Sequence, residues 1–160
     1  MSVEIVEISA RHFPLIWPVI QPALAAGDSF ALPDDEDAAR AMWNAPTRKQ
    51  YAAFEGEKVI GTYFVGPNQQ GPGAHVSNAG YIVAPDARGK GLAKQMCLHS
   101  LDRARERGFR AMQFNIVVST NTAAIRAWIG CGFNIIGTLP LAYQHKTLGF
   151  VDAYVMHRAL

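Results

Sequence analysis

The sequence predicts a mixed α/β domain in which a sheet of six to seven strands is flanked by about four helices. Three observations carry that reading. β-type apolar runs interleave with stretches of helical period in the order β-α-α-β-β-β-α-β-α-β-β. A glycine-rich turn, Arg88-Gly89-Lys90-Gly91-Leu92-Ala93, joins a short strand-like run (Ala79 to Ala84) to the clearest helix. The 160 residues contain no linker, repeat or low-complexity break, so residues 1–160 are expected to form one domain.

Val3 to Ile8 alternates apolar and polar residues and reads as the first strand. His12 to Ala25 is apolar and helix-like despite Pro14, Pro18 and Pro22, which predict a kinked or partly irregular helix. Pro33-Asp34-Asp35-Glu36-Asp37 starts a second helix reaching about Trp43, with proline in its first turn and acids where the helix dipole favours them. Lys49 to Glu55 and Lys58 to Val65 form a hairpin through Gly56-Glu57, followed by a loop from Gly66 to Gly73. Val76 to Val83 is the strand that feeds the glycine turn. The helix from about Gly91 to Arg107 gathers Ala93, Cys97, Leu101 and Ala104 on one face, and Gly108 stops it. Ala111 to Val118 is a buried-type strand, and Asn121 caps a helix running to about Gly130. Phe133 to Leu139 and Gly149 to Met156 close the sheet around a loop holding Pro140, Tyr143 and His145.

Composition narrows the function classes. Net charge is only +2, from 15 Lys plus Arg against 13 Asp plus Glu, so no general affinity for polyanions follows. Positive charge is concentrated at Arg88, Lys90, Lys94, Arg103, Arg105, Arg107 and Arg110, which suits a small anionic ligand better than a nucleic-acid groove. No apolar stretch reaches the ~20 residues that span a bilayer, and the N-terminus lacks a basic-then-apolar signal pattern. Cys97 and Cys131 sit in apolar surroundings and read as reduced core residues of a cytoplasmic protein. Five scattered histidines lack ligand spacing, which argues against a metal site.

The glycine turn is where chemistry is expected. The first turn of a helix has backbone N–H groups without intrahelical partners, and the dipole adds partial positive charge there. Gly89 and Gly91 let that backbone approach a ligand closely, and Arg88, Lys90 and Lys94 add cationic charge. The turn therefore reads as a seat for a phosphate or pyrophosphate. The sequence has no G-x-x-x-x-G-K-[ST] or dinucleotide fingerprint to make that ligand a nucleotide of another kind.

Two motifs and the order of elements resemble the GNAT superfamily of acyl-CoA-dependent N-acyltransferases. The family's R/Q-x-x-G-x-G/A loop is met at Arg88, Gly91 and Ala93, after Val83-Ala84-Pro85. About 30 residues on, Asn121, Ala124-Ile125, Trp128 and Gly132-Phe133 match a second family pattern. The likeness is good over residues 50 to 158 and holds only by element order before that. It implies a mostly antiparallel sheet, splayed at the cofactor site, with acetyl-CoA as acyl donor. Arg88, Gly89, Lys90, Gly91, Leu92 and Ala93 would hold the pyrophosphate. Tyr81, Ile82 and Val83 would meet the pantetheine arm, with Tyr81 and Val83 as its backbone partners, and Asn121 would touch the cofactor while capping its helix.

The implied reaction is direct attack of a neutral primary amine, from a small molecule or a peptide, on the thioester carbonyl. A backbone N–H near Val83 would stabilise the oxyanion. Many family members carry a tyrosine, the presumed general acid, where this chain has Trp128, whose indole N–H only donates a hydrogen bond. Tyr143 is the candidate acid, with His145, Ser119, a water or no acid at all as alternatives. Trp17, Phe30, Trp43, Tyr63, Asn78, Tyr143 and His145 are candidate pocket wall, and Asp28 with Asp34, Asp35, Glu36 and Asp37 is placed to attract a cationic amine. The competing reading is a non-catalytic acyl-CoA-binding module, and a homodimer stays open.

Overall fold

The computed structural model describes residues 2–160, and among them seven strands and four helices form in the expected order. The strands are β1 (Val3–Ile8), β2 (Lys49–Glu55), β3 (Lys58–Pro67), β4 (Val76–Val83), β5 (Ala111–Val118), β6 (Asn134–His145) and β7 (Gly149–Ala159). The helices are α1 (Phe13–Ala26), α2 (Glu36–Trp43), α3 (Leu92–Glu106) and α4 (Thr122–Gly130). One sheet runs β1-β2-β3-β4-β5-β7-β6. Every neighbouring pair is antiparallel except β4–β5.

Strand alternation sorts the helices onto two faces. Gly61 lies under α3, where a Cβ would come within 3.0 Å of Leu92 and Met96. Its neighbour Thr62 points the other way and accepts a hydrogen bond from Trp43 Nε1 of α2 at 3.1 Å. The core fills both sides, with Phe13, Ile16 and Ile20 of α1 on one and Met96 and Leu101 of α3 on the other, all buried. Among the described residues no helix is long and apolar enough to cross a membrane.

Several elements differ from expectation for identifiable reasons. α1 is one continuous helix although Pro18 and Pro22 lie inside it. Each proline removes one intrahelical donor. Pro14, Pro18 and Pro22 recur every four residues and so share a face, which is the exposed or half-buried one, where water reaches the freed carbonyls. α2 starts later than its proline suggests. Asp35 is the cap, accepting from Ala38 N at 2.8 Å, a bond worth about 1 kcal/mol. β6 does not stop at Leu139 but continues to His145, so Tyr143 and His145 stand on a strand rather than in a loop. Pro140 is tolerated because β6 is an edge strand and the register shifts between Leu139 and Tyr143, leaving no ladder bond for Pro140 to break.

Candidate active site

β4 and β5 pair only at Val76↔Ala111 and Ser77↔Met112, then part. The parting exposes β4 backbone, and parity says which groups. Ala84 N donates to Ile60 O at 2.8 Å, so the backbone polar groups of Gly80, Ile82 and Ala84 face β3. His75 O accepts from Arg110 N at 2.8 Å on the opposite edge. The N–H and C=O groups of Ala79, Tyr81 and Val83 therefore point to the side from which β5 has withdrawn. They open into a cleft of about 870 Å³ that runs between the two strands.

At one end of the cleft the Pro85–Ala87 turn delivers the chain to the glycine turn. Asp86 anchors it through an exposed ion pair with Lys58, which holds the Asp86 carboxyl below its usual range. Gly89 and Gly91 adopt φ of 78° and 80°, a region L side chains rarely enter. A Cβ at either would meet no protein atom within 4 Å, so the space in front of the turn is free for a ligand. The first intrahelical bond is Gln95 N to Gly91 O at 3.1 Å, which leaves the N–H groups of Leu92, Ala93 and Lys94 unspent. Arg88 and Lys94 wall the same end, and neither pairs with a carboxylate among the described residues. Open backbone, free donors and unpaired cations fit a pyrophosphate.

The flanks carry the remaining expected residues. Asn121 walls the cleft and its Oδ1 caps α4 by accepting from Ala124 N at 3.2 Å, while its amide nitrogen has no protein partner among the described residues. Small residues of α4, Ala123, Ala124 and Ala127, keep that wall low. Trp128 is 8% exposed, with ring centroids 4.9 Å from Tyr81 and 5.2 Å from Phe114, and still reaches the cleft. The Tyr81 hydroxyl points away from it. Tyr81 donates to Ser100 Oγ at 2.5 Å, and Ser100 in turn donates to Cys97 O at 2.6 Å. Burial holds the Tyr81 phenol well above its ordinary range, so its contribution is backbone, as expected.

The other end is built from side chains that no sequence motif marks. Asp28, Ser29 and Phe30 of the α1–α2 loop meet Met42, Arg48, Phe64 and Asn78, with His145 and Leu148 of the β6–β7 hairpin. The hairpin is fastened to the loop: Lys146 N donates to Gly27 O at 2.9 Å and Lys146 Nζ to Ala25 O at 2.9 Å. A Cβ on Gly27 would lie 2.9 Å from that of Lys146, so only glycine permits this approach. His145 Nδ1 accepts from Thr147 N and Leu148 N, both at 3.2 Å, which leaves Nε2 as its donor. Tyr143 Oη donates to Phe30 O at 3.2 Å, and burial followed by the charge of Asp28 pushes its pKa up.

The cleft thus gathers Tyr81, Ile82, Val83, Arg88, Gly89, Gly91, Leu92, Ala93 and Asn121. Lys90 is exposed and Tyr143 is buried, and neither side chain walls it. Of the expected pocket wall, Phe30, Asn78 and His145 are there. Trp43 and Tyr63 are fully buried in the core instead, committed to Thr62 and His99, and Trp17 stacks on Phe13. Arg48, Asn115 and Thr120 also wall the cleft without having been expected. Cys97 and Cys131 are buried and do not reach it. Among the described residues no cluster of His, Cys, Asp and Glu could hold a metal ion.

An open sheet whose single parallel pair parts beside an anion-binding turn defines an acyl-CoA-dependent acyltransferase domain. The chain belongs to the acetyltransferase (GNAT) family, whose pattern it matches over residues 11–133. A solved GCN5-related N-acetyltransferase from Kribbella flavida is 37% identical, with a TM-score of 0.91 over 99% of this chain and 98% of that one. A phosphinothricin acetyltransferase from Sinorhizobium meliloti, in complex with acetyl-CoA, shares the fold at 19% identity, with a TM-score of 0.84 over 100% of this chain and 89% of that one. The N-acetyltransferase aca1 of Schizosaccharomyces pombe is 34% identical over 98 residues, 61% of this chain and 47% of that protein. The chain spans about half the length of that relative.

Proposed function

We infer that this chain is an N-acetyltransferase that moves an acetyl group from acetyl-CoA to a primary amine of a small molecule or peptide, by direct attack within a ternary complex. The observation that carries the reading is the row of unpaired backbone groups on Ala79, Tyr81 and Val83, continuous with the free N–H groups of the glycine turn. One side of that row is long and polar enough for the two amides of a pantetheine arm, and its end meets the pyrophosphate seat. Acetyl-CoA supplies an activated thioester carbonyl, and everything else is asked of the chain. Lys94, Arg88 and the N–H groups of residues 91 to 94 hold phosphate charge, Lys90 adds to the field from outside the cleft, and the Asn121 amide nitrogen donates beside them. The Val83 N–H is the donor proposed for the carbonyl oxygen as it gains charge, a contribution of ~3 kcal/mol for a preorganised donor.

At the far end Asp28 is the one acid among the described residues that walls the cleft, and it draws in the cationic form of an amine. The amine sheds its proton to water in the open cleft before attack. Tyr143 is assigned the proton taken by the departing thiolate, and the phenolate is reprotonated by the proton the new amide nitrogen releases to water. The raised pKa of Tyr143 keeps it protonated at working pH, and its hydroxyl would have to leave Phe30 O and turn into the cleft to reach the thiolate. The cytoplasm, where acetyl-CoA is made available to soluble enzymes, is the proposed compartment. The acyl-CoA-binding module is the second reading, favoured by Trp128 at the position where the resemblance leads one to expect tyrosine. One experiment separates the two. The melting temperature rises with acetyl-CoA and CoA but not with ATP, and free thiol appears with some members of an amine panel. Stabilisation without thiol release for any amine leaves the binding module standing, and no shift with either CoA species removes the assignment altogether.

A further inference from the structure

Arg48 immediately precedes β2, and its side chain is fixed at the acceptor end of the cleft from three sides. Nη1 donates to Met42 O at 2.6 Å. The guanidinium carbon lies 4.2 Å from the centroid of the Phe64 ring, close enough for a cation–π contact. Its stem runs across Gly66, where a Cβ would come within 2.8 Å of Arg48 Cγ, so glycine there gives the side chain its track. A long flexible cation is thereby held in one place at the wall of a cleft.

The charge it carries has no protein counterpart. Arg40, Lys49, Lys58, Arg103 and Arg105 all form ion pairs, on the surface, whereas Arg48 has no acidic partner among the described residues. Asp28 walls the same cleft but does not pair with it. Burial pulls the Arg48 pKa down, which marks the solvation this guanidinium has given up. The cofactor's phosphates are out of reach of it. The guanidinium lies over Phe64, which pairs with Gly80, and the glycine turn begins beyond Val83, three residues or about 10 Å farther along β4 at the rise of a strand. A planar, half-buried, immobilised guanidinium without an anion is suited to binding a carboxylate through two parallel hydrogen bonds.

Resting on the N-acetyltransferase reading, we propose that the acceptor is an amino acid, an amine that also bears a free carboxylate, and that Arg48 binds this carboxylate and so selects it. The amine then faces β4 while the acid end is tethered beside Phe64. Asp28, which walls the same cleft without pairing with Arg48, repels a second carboxylate.

The test compares a panel of free amino acids with their primary amides as acceptors, by thiol release, for the native chain and for Arg48→Gln and Arg48→Lys. Native kcat/KM favours an acid over its amide by about 10- to 100-fold, the range of one charge-assisted hydrogen-bonded pair. Arg48→Gln erases that preference by lowering kcat/KM for the acid towards that for the amide, with KM for acetyl-CoA unchanged, and Arg48→Lys restores part of it. Equal native rates on acids and amides overturn the proposal without any substitution, whether or not Arg48→Gln folds. An Arg48→Gln effect on KM for acetyl-CoA alone also overturns it, by moving the residue to the donor. If acetyl-CoA stabilises the chain but no acceptor releases thiol, the transferase reading itself falls.

Discussion

The cleft end at residues 88 to 94 is made of backbone, whereas the end around Asp28, Arg48 and His145 is made of side chains. The first is assembled from consecutive residues: two left-handed glycines and the first turn of α3. The second draws on the α1–α2 loop, α2, the α2–β2 loop, β3, β4 and the β6–β7 hairpin, held together by contacts such as Tyr143 to Phe30, 113 residues apart. The difference teaches where variation is cheap. A backbone seat depends on φ values and recognises what all donors of one class share, while a side-chain wall can change its acceptor one residue at a time without touching the fold.

The contrast is broken most severely at Gly91. Gly91→Trp keeps the chain soluble, because the added Cβ meets no protein atom within 4 Å, but it forces a bulky residue to φ +80° and fills the space in front of the turn. The strain is roughly 1–2 kcal/mol. Loss of two charge-assisted bonds to phosphate lowers acetyl-CoA affinity by roughly 100-fold or more. Titration calorimetry with acetyl-CoA, beside a melting curve, measures both. If affinity survives in a folded variant, the pyrophosphate does not sit on this turn, and the donor end is not a backbone site at all.

The same division explains what could be read before any coordinates. The glycine turn, Asn121 as a cap and the run of Tyr81 to Val83 are local signals: φ > 0 demands glycine, helix starts demand caps, and strands alternate. Arg48 gives no such signal. Its role depends on Gly66 leaving room and on the ring of Phe64 lying beneath it, neither of which sequence spacing reveals. Trp43 and Tyr63 sit in the core rather than the pocket wall for the converse reason. An aromatic with a polar tip suits a pocket wall and a core equally, and only the partners Thr62 and His99 decide between them. β6 runs past Pro140, which reads as a strand breaker in sequence, because the strand lies at the sheet edge.

Tyr143→Phe tests the acceptor end. Removing the hydroxyl leaves the ring packed and costs the bond to Phe30 O, about 1 kcal/mol of stability. As proton donor its loss lowers kcat by about 100-fold, the smaller end of the general-acid range, with KM for acetyl-CoA unchanged. The alkaline limb of the kcat–pH profile, set by a phenol whose pKa is raised, disappears with it. A change confined to the acceptor's KM would instead make Tyr143 a fastener of the Asp28–Phe30 loop, with the proton passing to water.

The smallest effect divides one residue between structure and ligand. Asn121 both caps α4 and presents an amide nitrogen to the cleft. Asn121→Asp keeps a cap of equal strength but replaces the donor with a negative charge beside the pyrophosphate seat, so the melting temperature holds while KM for acetyl-CoA rises several-fold. Asn121→Ala removes the cap as well and lowers stability by about 1 kcal/mol. An unchanged KM for both variants would restrict Asn121 to capping, and the donor end would then be backbone from Tyr81 to Lys94, with the side chains of Arg88 and Lys94 at the seat and Lys90 outside it.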